Sequence, residues 1–423
     1  MVINRLYERT YAATRQDGFR VLVEEVPGSR SVSIGVWVKV GSRDDPADAP
    51  GLAHFLEHLL FKGTTSRDSE AISREIDAVG GHLNGATGKE ATFYYADLPA
   101  EGMPVAIDLL SDLVLHPALD PEKIELERTV VLEEIRGHED DPEESAFDRF
   151  AASLWEGEHP LSRPILGSSN AIARVGREEI AEHHLLHYRP GRMVLVACGA
   201  VDHGEVFEAA DRLFPLDRDP LESGPVRTPP LLRPGRWHHE RPTAQTHIYL
   251  GLPGPKARDD DRLPLEVANA VLGDGTGSRL FRAIRENRGL AYAVGSGVTR
   301  YTDGGFWLTY AAVAPPVAKR VIDLIRGELL SLKKTLKDDE IALAKARLRG
   351  SFILGLESNA TRAARLGSAA IEGREILSPD EILAKLDRIG EDDIARVLSR
   401  FNRPEMMNLA TVGPSVELPD APA

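Results

Sequence analysis

The sequence has few of the features that mark disulfide-linked, membrane-spanning or secreted proteins. Its 423 residues include one cysteine, Cys198, so no disulfide can form within the chain. This cysteine lies in an apolar run, and we expect it to be a small buried side chain on a strand. No stretch approaches the ~18 apolar residues that span a bilayer, and the N-terminus has no apolar signal core. These absences predict a cytoplasmic protein with no membrane partner.

Positive charge is also in short supply. The chain has 51 lysines and arginines against 66 aspartates and glutamates, which gives a net charge of −15. Because nucleic-acid binding relies on a basic surface, this balance disfavours a general nucleic-acid binder. The apolar content of 42% is ordinary for a globular protein, and the length predicts two or three domains.

The order of predicted elements in the first half of the chain recurs in the second half. Sequence patterns predict strands at 18–26, 31–40, 82–87, 91–98 and 193–198, and helices at 69–79, 103–115, 121–137 and 204–214. The corresponding elements of the second half are predicted at 246–252, 262–272, 278–285, 290–297, 304–311 and 407–412. Such repetition predicts an α+β fold of two similar domains.

A segment rich in proline, aspartate, arginine and glycine separates the two halves. Segments of this composition form linkers more readily than packed elements. We therefore predict an N-terminal domain over 1–214, a linker over 215–235 and a C-terminal domain over 236–423.

Two histidines and a carboxylate form the most informative motif, since residues 54–58 read His-Phe-Leu-Glu-His. On a helix, His54 and His58 share one face, where they can hold a metal ion with Glu57 beside it as a base. The order is the inverse of the commoner His-Glu-x-x-His zinc-peptidase signature. The corresponding helix at 262–272 has no histidine. Only the first half is therefore expected to bind the metal.

A third ligand is needed, because catalytic zinc sites have three protein ligands and one open position. The predicted helix at 121–137 has an apolar stripe through Ile124, Val131 and Ile135. Glu127 and Glu134 lie on or beside this stripe, whereas Glu133 lies on the opposite face. A carboxylate on a buried stripe is costly unless it is paired or bound to metal. Glu127 and Glu134 are therefore both candidates, and helix phase alone does not choose between them.

Over nearly its whole length, the chain resembles the inverzincin peptidases of the pitrilysin and mitochondrial processing peptidase family, especially their short bacterial members. The family's spacing from the second histidine to its distal glutamate leads to Glu134. The resemblance thus implies one zinc ion per chain, held by His54, His58 and Glu134. It also implies that Glu57 is the general base and that Glu127 orients the ligands.

Two further motifs carry the resemblance. Residues 80–95 resemble the family's substrate-binding edge strand, so the expected peptide contacts are Leu83, Asn84, Gly85 and Ala86. The family usually has alanine where this chain has Gly85. In the second half, residues 285–292 resemble a segment whose arginine and tyrosine act at the active site, which implies catalytic roles for Arg285 and Tyr292.

The resemblance implies a mostly antiparallel sheet with packed helices in each domain. It implies a zinc metalloendopeptidase that hydrolyses peptides or unfolded segments, bound as an extended strand in a closed chamber. Larger members have four such domains, so we expect this chain to form a homodimer or a heterodimer with a related subunit. A non-catalytic scaffold or partner subunit is the main alternative, and the intact motif disfavours it. The edge-strand motif disfavours a hydrolase of non-peptide substrates.

Overall fold

The secondary structure comes from a computed structural model that describes residues 1–215, 227–416 and 418. Residues 216–226 of the predicted linker lie outside this described part. The strands are β1 Val2–Tyr7, β2 Thr10–Thr14, β3 Arg20–Glu25, β4 Ser31–Val38, β5 His82–Thr87, β6 Thr92–Pro99, β7 Met193–Gly199, β8 Gly235–Glu240, β9 Thr246–Pro253, β10 Ala291–Arg300, β11 Gly305–Val313 and β12 Asn408–Gly413.

Helices connect and cover these strands. They are α1 Leu52–Leu60, α2 Ser69–Ala78, α3 Met103–Leu115, α4 Pro121–Asp140, α5 Pro142–Leu154, α6 Ser169–Ile172, α7 Arg177–His187, α8 His203–Leu213, α9 Arg262–Leu272, α10 Ala318–Thr335, α11 Asp338–Gly355, α12 Asn359–Ile371, α13 Pro379–Arg388 and α14 Glu391–Phe401. A π-helical segment covers Phe281–Glu286. Within the described part of the chain, no helix combines the length and apolar content that crossing a bilayer requires.

Each of two structural units is built around one sheet. The first sheet has the order β1-β2-β3-β7-β4-β6-β5, and the second has the order β10-β11-β9-β12-β8. The β3–β7 and β12–β8 pairs are parallel and the other pairs are antiparallel. The prediction of two α+β domains with mostly antiparallel sheets is therefore confirmed.

The two units exchange segments of the sequence. Of the described residues, the first unit comprises Met1–Gly137, 163–215 and Leu354–Ser378, and the second comprises His138–Ser162, Arg227–Ile353, 379–416 and 418. Helix α5 thus belongs to the second unit although it precedes the predicted linker, and α12 belongs to the first unit although it follows it. The domain borders at 215–235 remain a prediction.

In the first unit, α12 covers the face of the sheet opposite the main core. Along β4, Ile34 and Val36 pack into the main core, whereas Trp37 packs with Leu366 of α12 on the other face. This two-sided cover explains why β4 is buried almost without interruption. Gly367 permits the close approach, because a Cβ there would lie 2.4 Å from Cε2 of Trp37.

Helix α5 has the same role in the second unit. Ile248 and Leu250 of β9 pack into that unit's main core, whereas Tyr249 faces α5. The rings of Tyr249 and Phe150 stack with their centroids 5.2 Å apart. A glycine again permits the contact, since a Cβ on Gly251 would lie 2.8 Å from Cδ1 of Leu154.

Candidate metal centre

The two motif histidines lie on α1, a short helix that is buried on nearly all sides. His54 and Glu57 are buried, and His58 is partly buried. The Asp45 carboxylate fixes the start of the helix, because it accepts hydrogen bonds from the backbone N–H groups of Gly51 at 2.8 Å and Ala53 at 2.9 Å. These bonds satisfy amides that a helix start leaves without partners. Burial raises the pKa of Asp45 to about 7, even though both hydrogen bonds lower it.

Three potential ligand atoms converge beside α1. Nε2 of His58 lies 3.2 Å from Nε2 of His54 and 3.5 Å from Oε2 of Glu134. Nε2 of His54 lies 3.7 Å from Oε1 of Glu134. These three residues offer ligand atoms that all lie within 4.8 Å of one another, close enough to share one ion. Two imidazole nitrogens and a carboxylate oxygen are a donor set that suits zinc.

The ring of His58 is oriented by a neighbouring carboxylate. Its Nδ1 lies 2.8 Å from Oε1 of Glu127, whose Oε2 lies 2.8 Å from Nζ of Lys62. An Nδ1–H that donates to Glu127 leaves Nε2 free to accept, which is the arrangement typical of metal-binding histidines. Burial tends to raise the pKa of Glu127, but the hydrogen bonds from His58 and Lys62 outweigh it and lower that pKa.

Their surroundings shift the pKa values of the two histidines in opposite directions. Burial, helped by the neighbouring His58, lowers the pKa of His54 to about 4. Burial also tends to lower the pKa of His58, but the hydrogen bond to Glu127 and the charges of Glu134 and Glu57 raise it overall. A neutral His54 is ready to act as a ligand at neutral pH, because a metal-binding imidazole must be deprotonated.

Helix α4 presents both candidate glutamates to the same imidazole. Glu127 is almost fully buried, whereas the Glu134 side chain is 43% exposed. Glu127 faces Nδ1 of His58 and Glu134 faces its Nε2. Glu133 forms an ion pair with Arg136 on the exposed side of the helix. The structure thus brings Glu134, rather than Glu127, to the nitrogens of both histidines.

Glu57 belongs to α1, and its side chain faces strand β5. Its Oε2 accepts a hydrogen bond from Oγ1 of Thr87 at 2.6 Å. Burial raises the pKa of Glu57, although this hydrogen bond lowers it in part. A buried carboxylate with a raised pKa is suited to accept and return a proton near neutral pH.

The predicted substrate-binding residues lie on β5, the end strand of the first sheet. Leu83 and Gly85 are partly buried, and Asn84 is exposed. Oδ1 of Asn84 accepts a hydrogen bond from the backbone N–H of Gly85 at 2.8 Å. An end strand can accept an added peptide strand through main-chain hydrogen bonds.

Arg285 and Tyr292 lie together in the second unit. The guanidinium carbon of Arg285 is 5.6 Å from the ring centroid of Tyr292 and 5.1 Å from that of Phe281. Tyr292 is 77% exposed at the start of β10, which is unusual for a large ring. The two side chains that the resemblance implies as catalytic therefore form one exposed cation–π pair.

The sequence prediction omits three residues that contact Glu57, Glu127 or the start of α1. Thr87 has a detectable signal, since the two-residue period of a strand places it on the same face as Gly85. Lys62 and Asp45 have no such signal, because their contacts with Glu127 and with the start of α1 depend on tertiary packing.

Comparison with known proteins agrees with this geometry. Residues 20–169 match the family model described as insulinase (peptidase family M16), and residues 174–348 match that described as peptidase M16 inactive domain. An uncharacterized zinc protease of Mycobacterium tuberculosis is 38% identical over 416 residues, covering 95% of this chain and 92% of the relative. The chain belongs to peptidase family M16.

Other similar proteins match over nearly the whole chain. The uncharacterized zinc protease YmxG of Bacillus subtilis is 30% identical over 96% of this chain and 98% of its own. A crystal structure titled as a peptidase M16 inactive domain from Pseudomonas fluorescens superposes with a TM-score of 0.89 at 20% identity, covering 98% of this chain and all of the other. A protease structure from Helicobacter pylori gives a TM-score of 0.88 at 22% identity, over 95% and 99% of the two chains. The predicted family and fold are confirmed, and the chain is an M16 peptidase.

Proposed function

We propose that this M16 peptidase is a zinc-dependent endopeptidase that cleaves peptides or unfolded segments. The convergence of His54, His58 and Glu134 carries the proposal. When both Nε2 atoms are unprotonated, their lone pairs lie 3.2 Å apart and can be shared by one cation. The donor set therefore fits one zinc ion per chain, consistent with relatives that are named zinc proteases.

When bound, zinc would supply Lewis-acid chemistry and make water more acidic. Glu57 would take a proton from water and pass it to the leaving amine. Glu127 would keep His58 in the tautomer that presents Nε2 as an acceptor. A peptide added along β5 would bind through its main chain, so shape would matter more than sequence. Leu83, Asn84, Gly85 and Ala86 would contact it.

Further parts of the proposal rest on the family resemblance. We assign Arg285 and Tyr292 to stabilisation of the charge that develops on the peptide carbonyl oxygen. A closed chamber, assembled by a homodimer or with a related subunit, would admit unfolded segments and exclude folded proteins. A cytoplasmic location completes the proposal.

The test compares wild type with Glu57→Gln on a mixed synthetic peptide library, with cleavage sites mapped by mass spectrometry. We expect the variant to bind zinc normally and to lose about 10²–10⁴-fold in turnover, the usual contribution of a general base. Wild-type turnover in Glu57→Gln would refute the assignment of the base. A zinc-loaded wild type that cleaves no peptide would favour the scaffold or partner-subunit alternative.

A further inference from the structure

The strand proposed to bind the peptide also holds the proposed base. Oγ1 of Thr87, near the end of β5, lies 2.6 Å from Oε2 of Glu57. A carboxylate is acceptor-only when ionised, so the hydroxyl of Thr87 is the donor in that state. Hydrogen bonds to an ionised acceptor are shorter and stronger than neutral ones. The 2.6 Å distance between Thr87 and Glu57 falls in the range of such charge-assisted bonds.

The neighbouring hydroxyl of Thr92 does not compete strongly with Glu57 for the Thr87 proton. Thr92, on the adjacent strand β6, is fully buried, and its Oγ1 donates to the carbonyl of Val40 at 2.9 Å. The same oxygen lies 3.4 Å from Oγ1 of Thr87, a longer and weaker contact. Because the contact with Glu57 is much the shorter, we assign Glu57 as the acceptor of the Thr87 proton.

The other carboxylate oxygen faces β5 as well. A Cβ added to Gly85 would lie 3.1 Å from both Cγ and Oε1 of Glu57, and 3.0 Å from Cε2 of Phe61. These distances are tighter than ordinary van der Waals contacts, so the bare Cα of Gly85 leaves room for the Glu57 side chain. Glu57 therefore contacts β5 at two places on one face of the strand, Gly85 and Thr87.

We propose that Thr87 is a positioning residue for Glu57, so that the peptide-binding strand also sets the direction of the base. The inference rests on the proposed roles of Glu57 and β5. With Oε2 held by the hydroxyl of Thr87, the orientation of the Glu57 carboxylate is set relative to β5. A peptide that docks on β5 would be fixed relative to the same strand that orients the base. Orientation of this kind is worth up to about 10²-fold in rate for a displacement near 1 Å.

The test compares Thr87→Val with Thr87→Ser on the most rapidly cleaved peptide of the library. Valine preserves shape and strand preference but removes the donor, whereas serine keeps the donor. We expect Thr87→Val to lower kcat by about 10–100-fold with KM and zinc content nearly unchanged, and Thr87→Ser to keep most of kcat. A rise in KM at unchanged kcat would overturn the inference, because Thr87 would then act on peptide binding. Unchanged kcat and KM would also overturn it.

A binding measurement separates positioning from general support of the strand. In a Glu57→Gln background, which we expect to bind the peptide without rapid cleavage, adding Thr87→Val should change the peptide Kd by less than about twofold, because a positioning residue does not contact the peptide. A large increase in Kd would overturn the inference. Full turnover in Glu57→Gln would refute the role of Glu57 as base, and with it the positioning role of Thr87. If Glu57→Gln loses turnover but Thr87→Val keeps full turnover, only the positioning role of Thr87 is refuted.

Discussion

Nε2 of His54 and Nε2 of His58 lie 3.2 Å apart on a buried helix. A metal that binds there and does not bind the unfolded chain stabilises the fold by mass action, by about 2.7 kcal/mol at a free concentration 100 times Kd. We expect zinc to raise the melting temperature of chelator-treated protein, measured by calorimetry. His54→Ala should abolish the increase. An equal increase in that variant would mean that zinc binds elsewhere.

Two adjacent glutamates on α4 offer a matched test of the third ligand. Glu134→Gln should weaken zinc binding by more than the 10–100-fold typical for residues that only orient a ligand, because it removes a direct donor. Glu133→Gln should leave zinc binding unchanged, since that side chain is paired with Arg136 on the exposed face. The zinc Kd of each variant can be measured by competition with a chelating dye. Equal effects of the two substitutions would contradict the assignment.

The packing of α12 predicts a large penalty for a small substitution. Gly367→Ala would place a methyl group 2.4 Å from Cε2 of Trp37, so the helix or the indole must move. We expect the free energy of unfolding to fall by about 1–3 kcal/mol, the usual cost of overpacking. Gly327→Ala, in helix α10 with open space around it, is the control and should be neutral or stabilising. In denaturant titrations, the unfolding midpoint of Gly367→Ala should therefore fall below that of wild type, whereas the midpoint of Gly327→Ala should stay the same or rise.

The pH dependence of stability should report on Asp45. Burial raises its pKa from 3.8 to about 7, so the folded state holds this proton more tightly than the unfolded state. By linkage, the stabilising contribution of the protonated group is present below about pH 4 and is lost as the pH rises to about 7.

Asp45→Asn removes this titration while keeping a side chain of similar shape. Between pH 4 and pH 7, the free energy of unfolding of wild type should therefore decline relative to that of the variant, as measured by denaturant titration at each pH. The loss of one cap acceptor should add a constant offset of about 1 kcal/mol against the variant. Parallel curves for the two proteins would exclude a raised pKa at Asp45.

Local sequence patterns predicted the parts of the centre that lie within one turn of one helix. His54, Glu57 and His58 occupy α1, and their relation follows from helical periodicity alone. Helix phase could not separate Glu127 from Glu134, and the structure explains why. Both contact His58, one at each ring nitrogen, so both needed to lie near the buried face. Only the family's spacing favoured Glu134.

Elements without a strong local pattern were missed. Strand β1 is exposed along nearly its whole length, and β8 is polar, so neither shows the alternation that marks a half-buried strand. The exchange of α5 and α12 between units is equally hidden, because an amphipathic helix shows that it has an apolar face but not which sheet it covers. The repeat in the sequence was therefore visible, whereas the exchange within it was not.

This exchange limits how the chain can be divided. A fragment that stops before Leu354 would lack α12 and leave Trp37 and Leu22 of the first sheet without their cover. A fragment that begins after Ser162 would lack α5 and uncover Tyr249 and Phe306 of the second sheet. We therefore expect neither half of the repeated sequence to fold stably by itself, because each half carries the helix that covers the other half's sheet.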